Sequence, residues 1–282
     1  SPRRADAYVI LQGISKKISP QNSQILPRDP SLLKIGACGW GIRGGKNAYF
    51  REFDVVELQS TFYRPVPSKT LEKYRQEAPP GFEYSVKAWQ AITHPVSSPT
   101  WKKAGKMPEL GDPLGLGHLR PTPENFRAWD LILDECRVLG SSFLVIQTPP
   151  SFGCNEKAKS GMIDFLSKVE RSSLTLGWEP RGDWSRRPEE VGRICERLSL
   201  VHVVDPLRRL PALESEVVYF RLHGLGGDET NYKYRYTDSD LSRLASIIST
   251  FAESKKVYVM FNNISMGEDA LRLKSIMKSL KS

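Results

Sequence analysis

Glu57, Lys87, Glu179, Asp205, Arg221 and His223 each stand at or near the end of a short apolar run in this 282-residue chain. Carboxylates and an imidazole in such positions suit general acid–base work, a lysine suits proton abstraction or amine attack, and arginines hold anionic oxygens. Cys38, Gln147, Arg181, Asn262 and Asn263 close or follow comparable runs. If these ends converge, they form a pocket for acid–base chemistry or anion binding. Taken singly, each of these Glu residues reads equally well as a structural ion-pair partner. Glu57, Glu179, Asp205 and His223 also form a candidate ligand set for a divalent ion, Mg or Mn ahead of zinc because oxygens dominate it.

Sharper motifs fail. The turn from Gly39 to Asn47 is glycine-rich, but Trp40 and Asn47 occupy positions where a phosphate loop needs Gly and Ser or Thr. There is no HExxH and no GxSxG, and the histidines His94, His118, His202 and His223 are scattered. His202 lies mid-run and reads as a core residue, and a strand-end thiol at Cys38 reads as inert. Aromatic residues offer a different signal. Trp40, Tyr63, Trp89, Trp101 and Trp184 fall in segments that follow the apolar runs, and residues 230–236 interleave Tyr232, Tyr234 and Tyr236 with Lys233 and Arg235. Such a loop can stack rings while its cations meet phosphate, or simply pack its tyrosines on a rim.

The elements that must position these groups follow from hydrophobic period. Eight runs read as strands: 34–38, 54–58, 82–87, 143–147, 174–179, 200–205, 217–223 and 257–262. Several are apolar on both faces, as strands buried in a parallel sheet are. Helical patterns lie between them at 69–77, 123–139, 156–170, 188–198, 238–254 and 268–280, with Pro123 and Pro188 at first-turn positions and Gly140 at a helix end. Eight strands with helical connections predict an α/β (β/α)8 TIM barrel rather than an open doubly wound sheet, since no dinucleotide fingerprint is present. Two connections are irregular. Residues 88–122, rich in Pro and Gly, predict a long lid or binding loop after the third strand. Residues 206–216 are too short for a full sixth helix, which is expected to be irregular or missing. Residues 1–30 read as a basic N-terminal extension to a barrel domain at 31–282, with one further strand expected at 8–11.

Charge is unevenly spread. The net charge is +9, from 41 Lys and Arg against 32 Asp and Glu. Residues 1–30 hold five Lys/Arg and two Asp, and residues 255–282 hold six and two acids. The expected top-face loops carry a net +6, set against a framework of −4. This pattern favours an anion drawn to the mouth of the barrel over a nucleic-acid coat on the whole surface. No stretch approaches a membrane span. Four cysteines without a CxxC fit a reducing, cytoplasmic setting.

An ordered series of blocks carries a family resemblance. These are Ile35-Gly-Ala-Cys-Gly-Trp40, Val56-Glu-Leu-Gln-Ser-Thr-Phe-Tyr63, Pro79-Pro-Gly-Phe82 running to Val86-Lys-Ala88, and Ala91-Ile-Thr-His94. Gln147-Thr-Pro-Pro-Ser-Phe152, Trp178-Glu-Pro-Arg181 with Trp184, Tyr219-Phe-Arg-Leu-His-Gly224 and Phe261-Asn-Asn263 follow. From residue 31 to about residue 280 the chain resembles the domain-of-unknown-function 72 (YecE-like) family. The resemblance implies a TIM barrel and no particular reaction. Distant barrels of the endonuclease IV and xylose isomerase group, which hold divalent metals at their strand ends, offer an analogy of fold only. The chain departs from the family pattern where Ala37-Cys38 replaces Thr-Ser, Gln59 replaces Asn and Pro180 replaces an aromatic residue.

The leading expectation is an enzyme, a hydrolase or nuclease among the candidates, acting on a phosphate- or sugar-containing anionic substrate that includes nucleic acid. Glu57, Glu179 or Asp205 would act as base or metal ligand, Lys87, Arg181 and Arg221 would hold oxygens, and His223 would relay a proton. Trp40, Tyr63, His94, Gln147, Trp184, Tyr234, Asn262 and Asn263 complete the expected substrate-binding set. Two alternatives stand beside it: a non-catalytic binder of nucleic acid or a small anion, and a metal-free lyase or isomerase using Lys87. The oligomeric state is left open by the sequence.

Overall fold

The computed structural model describes residues 32–106 and 108–280. The basic extension at 1–30 and its expected strand at 8–11 therefore lie outside the described residues. The chain begins with β1 (Leu33–Ala37), α1 (Gly45–Glu52), β2 (Val55–Leu58), α2 (Ser60–Tyr63), α3 (Ser68–Glu77), β3 (Glu83–Lys87) and α4 (Gln90–Thr93). It continues through α5 (Pro123–Leu139), β4 (Phe143–Gln147), α6 (Glu156–Lys168), β5 (Thr175–Glu179), α7 (Pro188–Leu198) and β6 (Val201–His202). It ends with β7 (Val217–Leu222), α8 (Asp238–Ala252), β8 (Lys256–Phe261) and α9 (Met266–Ser279).

All paired strands are parallel, in the order β6-β5-β4-β3-β2-β1-β8-β7. A single bridge between Val204 and Phe220 brings the two outer strands together, so the sheet curls into a (β/α)8 barrel. Local chemistry fixes the helix ends. Thr122 accepts from Asn125 N at the start of α5, Pro123 occupies its first turn, and Gly140 ends it in the left-handed region at φ 61°. Asn155 caps α6, and Thr237 with Asp240 forms a capping box on α8.

The period of two along each strand divides the core. Outward residues such as Val56, Leu144, Ile146, Leu176 and Trp178 pack under the helices, while Val55, Phe143, Val145, Val201, Val203, Tyr219, Tyr258 and Met260 fill the barrel. Within it, Tyr219 stacks on Phe143 (4.3 Å) and on Tyr258 (5.2 Å), and the three rings cluster, with Phe143 and Tyr258 5.7 Å apart. Gly177 makes room for this floor, because a Cβ there would meet Phe143 and Val203 at 2.5–2.6 Å.

Three features differ from the sequence pattern. Helix α1 buries only Tyr49, too little apolar surface to show a helical period behind its glycine-rich start. The long segment 88–122 holds α4 and two short 3-10 turns rather than an unbroken loop. The expected sixth strand is cut to Val201–His202 plus the bridge at Val204, and no helix lies between it and β7. Asp205 ends it: its Oδ1 accepts from Leu207 N, and its carbonyl accepts from Arg208 N and Arg209 N, turning the chain. No described helix is long and apolar enough to cross a membrane.

The packing of the floor makes Gly177→Ala a test of barrel closure. The added methyl overfills the interior, and its expected cost is about 1–3 kcal/mol in urea unfolding. An unchanged midpoint would show that the floor has slack.

Candidate active site

The inward-facing strand ends form a layer of buried charge above the aromatic floor. Arg221 lies at its centre, fully buried. Its Nε donates to Glu57 Oε2 (3.0 Å) and its Nη2 to Glu57 Oε1 (2.8 Å), a two-pronged pairing, while its Nη1 pairs with Glu179 Oε2. The Tyr219 hydroxyl donates to Glu57 Oε2 at 2.9 Å and lies 2.7 Å from Ser85 Oγ. Gln59 Nε2 donates to Glu57 Oε1 at 2.5 Å. The other Glu179 oxygen, Oε1, lies 2.5 Å from Arg181 Nη2 and 2.8 Å from His223 Nε2. Asn262 Nδ2 lies 3.3 Å from His223 Nδ1.

These neighbours set the protonation states. Burial alone would raise the Glu179 carboxyl, but the Arg181 and Arg221 guanidiniums outweigh it and hold it well below the usual carboxylate range. Burial lowers His223 to about 3 against the opposing pull of Glu179, so its imidazole is neutral. Burial likewise pushes the Cys38 thiol well above its usual value, which leaves it unreactive. Asp205 is raised to about 6 by burial and accepts from His223 N at 3.4 Å.

Lys87 is the exception to this pairing. Among the described residues its Nζ has no hydrogen-bond or ion-pair partner, and it lies 3.9 Å from the centre of the Phe62 ring. Burial, reinforced by the Arg221 charge, lowers it to about 7. The short helix α2 creates this setting: Thr61 Oγ1 donates to the Lys87 carbonyl (2.8 Å) and the Leu58 carbonyl (3.1 Å), seating Phe62 under the amine. His94, lowered to about 3 by burial, packs edge-on against Phe62 at 5.1 Å.

Of the residues singled out in the sequence, the fold brings Glu57, Lys87, Glu179, Arg181, Arg221, His223 and Asn262 together, with Asp205 beside His223. Register places Gln147 opposite Glu179 on the inward set. Others go elsewhere. Trp40 is packed edge-on among Tyr49, Phe50, Tyr74 and Tyr84. Tyr234 donates to Asp240 Oδ2 at the start of α8, and Asn263 donates to Asp269 Oδ2 and the Tyr234 carbonyl. Trp184 is fully buried, its Nε1 on the Phe152 carbonyl. Tyr63 lies at the rim, with Lys103 Nζ 5.8 Å from its ring.

The tyrosine that reaches the mouth is Tyr232, half exposed and edge-on to His223 at 5.9 Å. Gly224, at φ 82°, turns the loop so that Asn231 N reaches the His223 carbonyl at 2.7 Å. Tyr219 and Ser85 lie two residues before Arg221 and Lys87, so the period of two was the signal for them.

The expected metal ligands do not fit a metal. Glu57 and Glu179 both bind the guanidinium of Arg221 between them, and no group of three His, Cys, Asp or Glu side chains is placed to hold a metal ion among the described residues. A positive charge already fills the place where a divalent ion would sit.

Fold and mouth together define a TIM barrel whose strand ends are crosslinked by ion pairs. The chain belongs to the family described as "Protein of unknown function DUF72", whose model matches residues 46–282. It is 24% identical over 291 residues to UPF0759 protein YunF of Bacillus subtilis (strain 168), covering 88% of this chain and 95% of that one. Among solved structures it resembles DUF72 family proteins EF0366 of Enterococcus faecalis V583 (TM-score 0.66, 17% identity, 87% of this chain and 95% of that one) and TM1631 of Thermotoga maritima MSB8 (TM-score 0.63, 19% identity, 87% and 99%). The same barrel recurs in endonuclease IV of Thermus thermophilus (TM-score 0.51, 14% identity, 88% and 98%) and in a D-tagatose 3-epimerase-like protein (TM-score 0.54, 15% identity, 88% and 97%).

Two substitutions read out the charge layer. Arg221→Met strands two buried carboxylates and is expected to cost about 3–5 kcal/mol in denaturant unfolding; a loss below about 1 kcal/mol would mean that the pairs are not buried in solution. Lys87→Met removes an amine whose folded pKa, about 7, lies below its ordinary 10.5. The unfolded chain then binds more protons between these values, so wild-type stability carries the full penalty below pH 7 and regains it as pH rises toward 10.5. Lys87→Met should therefore raise the melting temperature more at about pH 6 than at about pH 9.5. The reverse order would contradict the lowered pKa.

Proposed function

We propose that this protein is an enzyme acting, without a resident metal, on a sugar- or phosphate-containing anionic substrate through the amine of Lys87. The observation that carries the reading is the unpaired Nζ, lowered to about 7 and held on Phe62 beside a layer of otherwise paired charges. Near neutral pH a large share of such an amine is unprotonated and nucleophilic. The neutral Nζ attacks the aldehyde carbon of an open-chain sugar; one proton moves from the nitrogen to the carbonyl oxygen and one comes from solvent, the oxygen leaves as water, and a protonated iminium remains. The electrons of the adjacent C–H bond then shift into the iminium to give an enamine, and the released proton passes to solvent water. Arg181 supplies positive charge at the mouth for the anionic part of the substrate. The barrels of endonuclease IV and of the epimerase-like protein support this substrate range by likeness of fold alone.

Borohydride trapping on the full chain tests the reading, with aldose phosphates and DNA carrying an abasic aldehyde as probes. Mass spectrometry should find the reduced adduct on Lys87, its rate rising through about pH 7, unaffected by EDTA and lost in Lys87→Met. An absent adduct, or one equally abundant in Lys87→Met, would remove the proposed chemistry. A second reading, a non-catalytic binder, draws on the exposed Tyr232 and Ile264 at the rim. It predicts DNA binding that weakens steeply with salt and yields no adduct.

A further inference from the structure

The missing sixth helix leaves a space. A cavity of about 310 Å³ lies between the ends of β5 and β6, the segment 206–216 and the start of α7, at the lower end of the size range of small-molecule sites. Its walls are mainly apolar, with Trp184, Val191, Leu210 and Pro211 among them. Arg181 and Arg208 also line it, and each carries a buried Nε with no hydrogen-bond partner. The remaining nitrogens of Arg208 are committed: Nη1 donates to the carbonyls of Gly227 and Asp228, and Nη2 to that of Gly224, so the guanidinium is fixed in place. Arg181 is 7% exposed and is held through Nη2 by Glu179. Arg208 Nε faces Asp205 Oδ2 at 3.8 Å, an ion pair too long for a hydrogen bond, so two immobilised cations keep Nε donors without a hydrogen bond beside an apolar chamber. Unpartnered buried donors are uncommon in folded proteins and are satisfied when an acceptor arrives.

We infer that this cavity binds a small acid, a single carboxylate or phosphate group on an apolar or aromatic ring, with the acid on Arg181 and Arg208 and the ring against Leu210 and Pro211. Glu179, Glu189, Asp205 and Glu229 line the cavity together with Arg181, Arg208 and Arg209, so no net positive charge is left over: a single acid group is held by the directed Nε donors alone, and a polyanionic strand is disfavoured. The cavity shares Glu179, Arg181, Asp205 and His223 with the mouth. A ligand seated there therefore places its far end beside the charged layer. The inference goes beyond the reading of the mouth: it assigns a ligand site adjoining the mouth, and it stands on the cavity rather than on amine chemistry.

Calorimetric titration of the full chain with phenyl phosphate, benzoate, inorganic phosphate and phenol tests it. One or both aryl acids should bind at least ten-fold more tightly than inorganic phosphate or phenol, and the tighter of the two identifies the acid group. Leu210→Trp, which fills the chamber, should weaken that binding at least ten-fold. Arg208→Lys, which keeps the charge but not the fixed Nε, should weaken it as well and serves if Leu210→Trp does not fold. Undetectable binding of both aryl acids at millimolar concentration, or equal affinity in folded Leu210→Trp and wild type, would overturn the inference. Retained aryl-acid binding with no borohydride adduct would remove the amine chemistry and leave the cavity assignment standing.

Discussion

A guanidinium buried between two carboxylates governs the mouth of this barrel. Arg221 has no access to water, so it must take its hydrogen bonds from the protein, and Glu57 and Glu179 supply them from strands that are not its neighbours in the sheet. Breaking either pair strands a charge in a poorly polarisable interior, which is far more costly than never having built the pair. The three strand ends are thereby tied across the barrel. From Glu179 the same constraint extends to Arg181 and His223, and from Glu57 to Tyr219 and Gln59.

This layer also explains its one unpaired member. Both nearby carboxylates are committed to arginine, so Lys87 meets burial and a neighbouring positive charge without a counter-ion of its own. The combination favours the neutral amine near physiological pH. The arginine that excludes a metal from the carboxylates is therefore also one that lowers the lysine, and both effects move the mouth toward amine chemistry.

Much of the fold was legible in the sequence because buried parallel strands and amphipathic helices leave distinct periods. The bounds of α5 and α7 coincide with those expected, and the eight apolar runs all became strands. The sixth run was overestimated because apolar composition does not reveal that Asp205 turns the chain. The site was legible only in part. Adjacent asparagines illustrate the limit: Asn262 reaches His223, while Asn263 points to Asp269 and the start of α9. A strand end read one residue out exchanges the two faces. Tyr234 and Tyr232 show the same ambiguity within a loop, where no strand period exists to resolve it.

The sequence by itself determined which residue types arrive at the strand ends, since strand length and period are local properties. It also determined that the sixth connection lacks room for a full helix. Tertiary structure decided the pairings. Glu57 and Arg221 are 164 residues apart, and nothing local states that they meet. Nor does anything local state that a cation occupies the space between the two carboxylates, that Lys87 is left without a partner, or that the absent helix leaves a chamber. Those outcomes depend on barrel closure, which sets distances among eight strand ends at once.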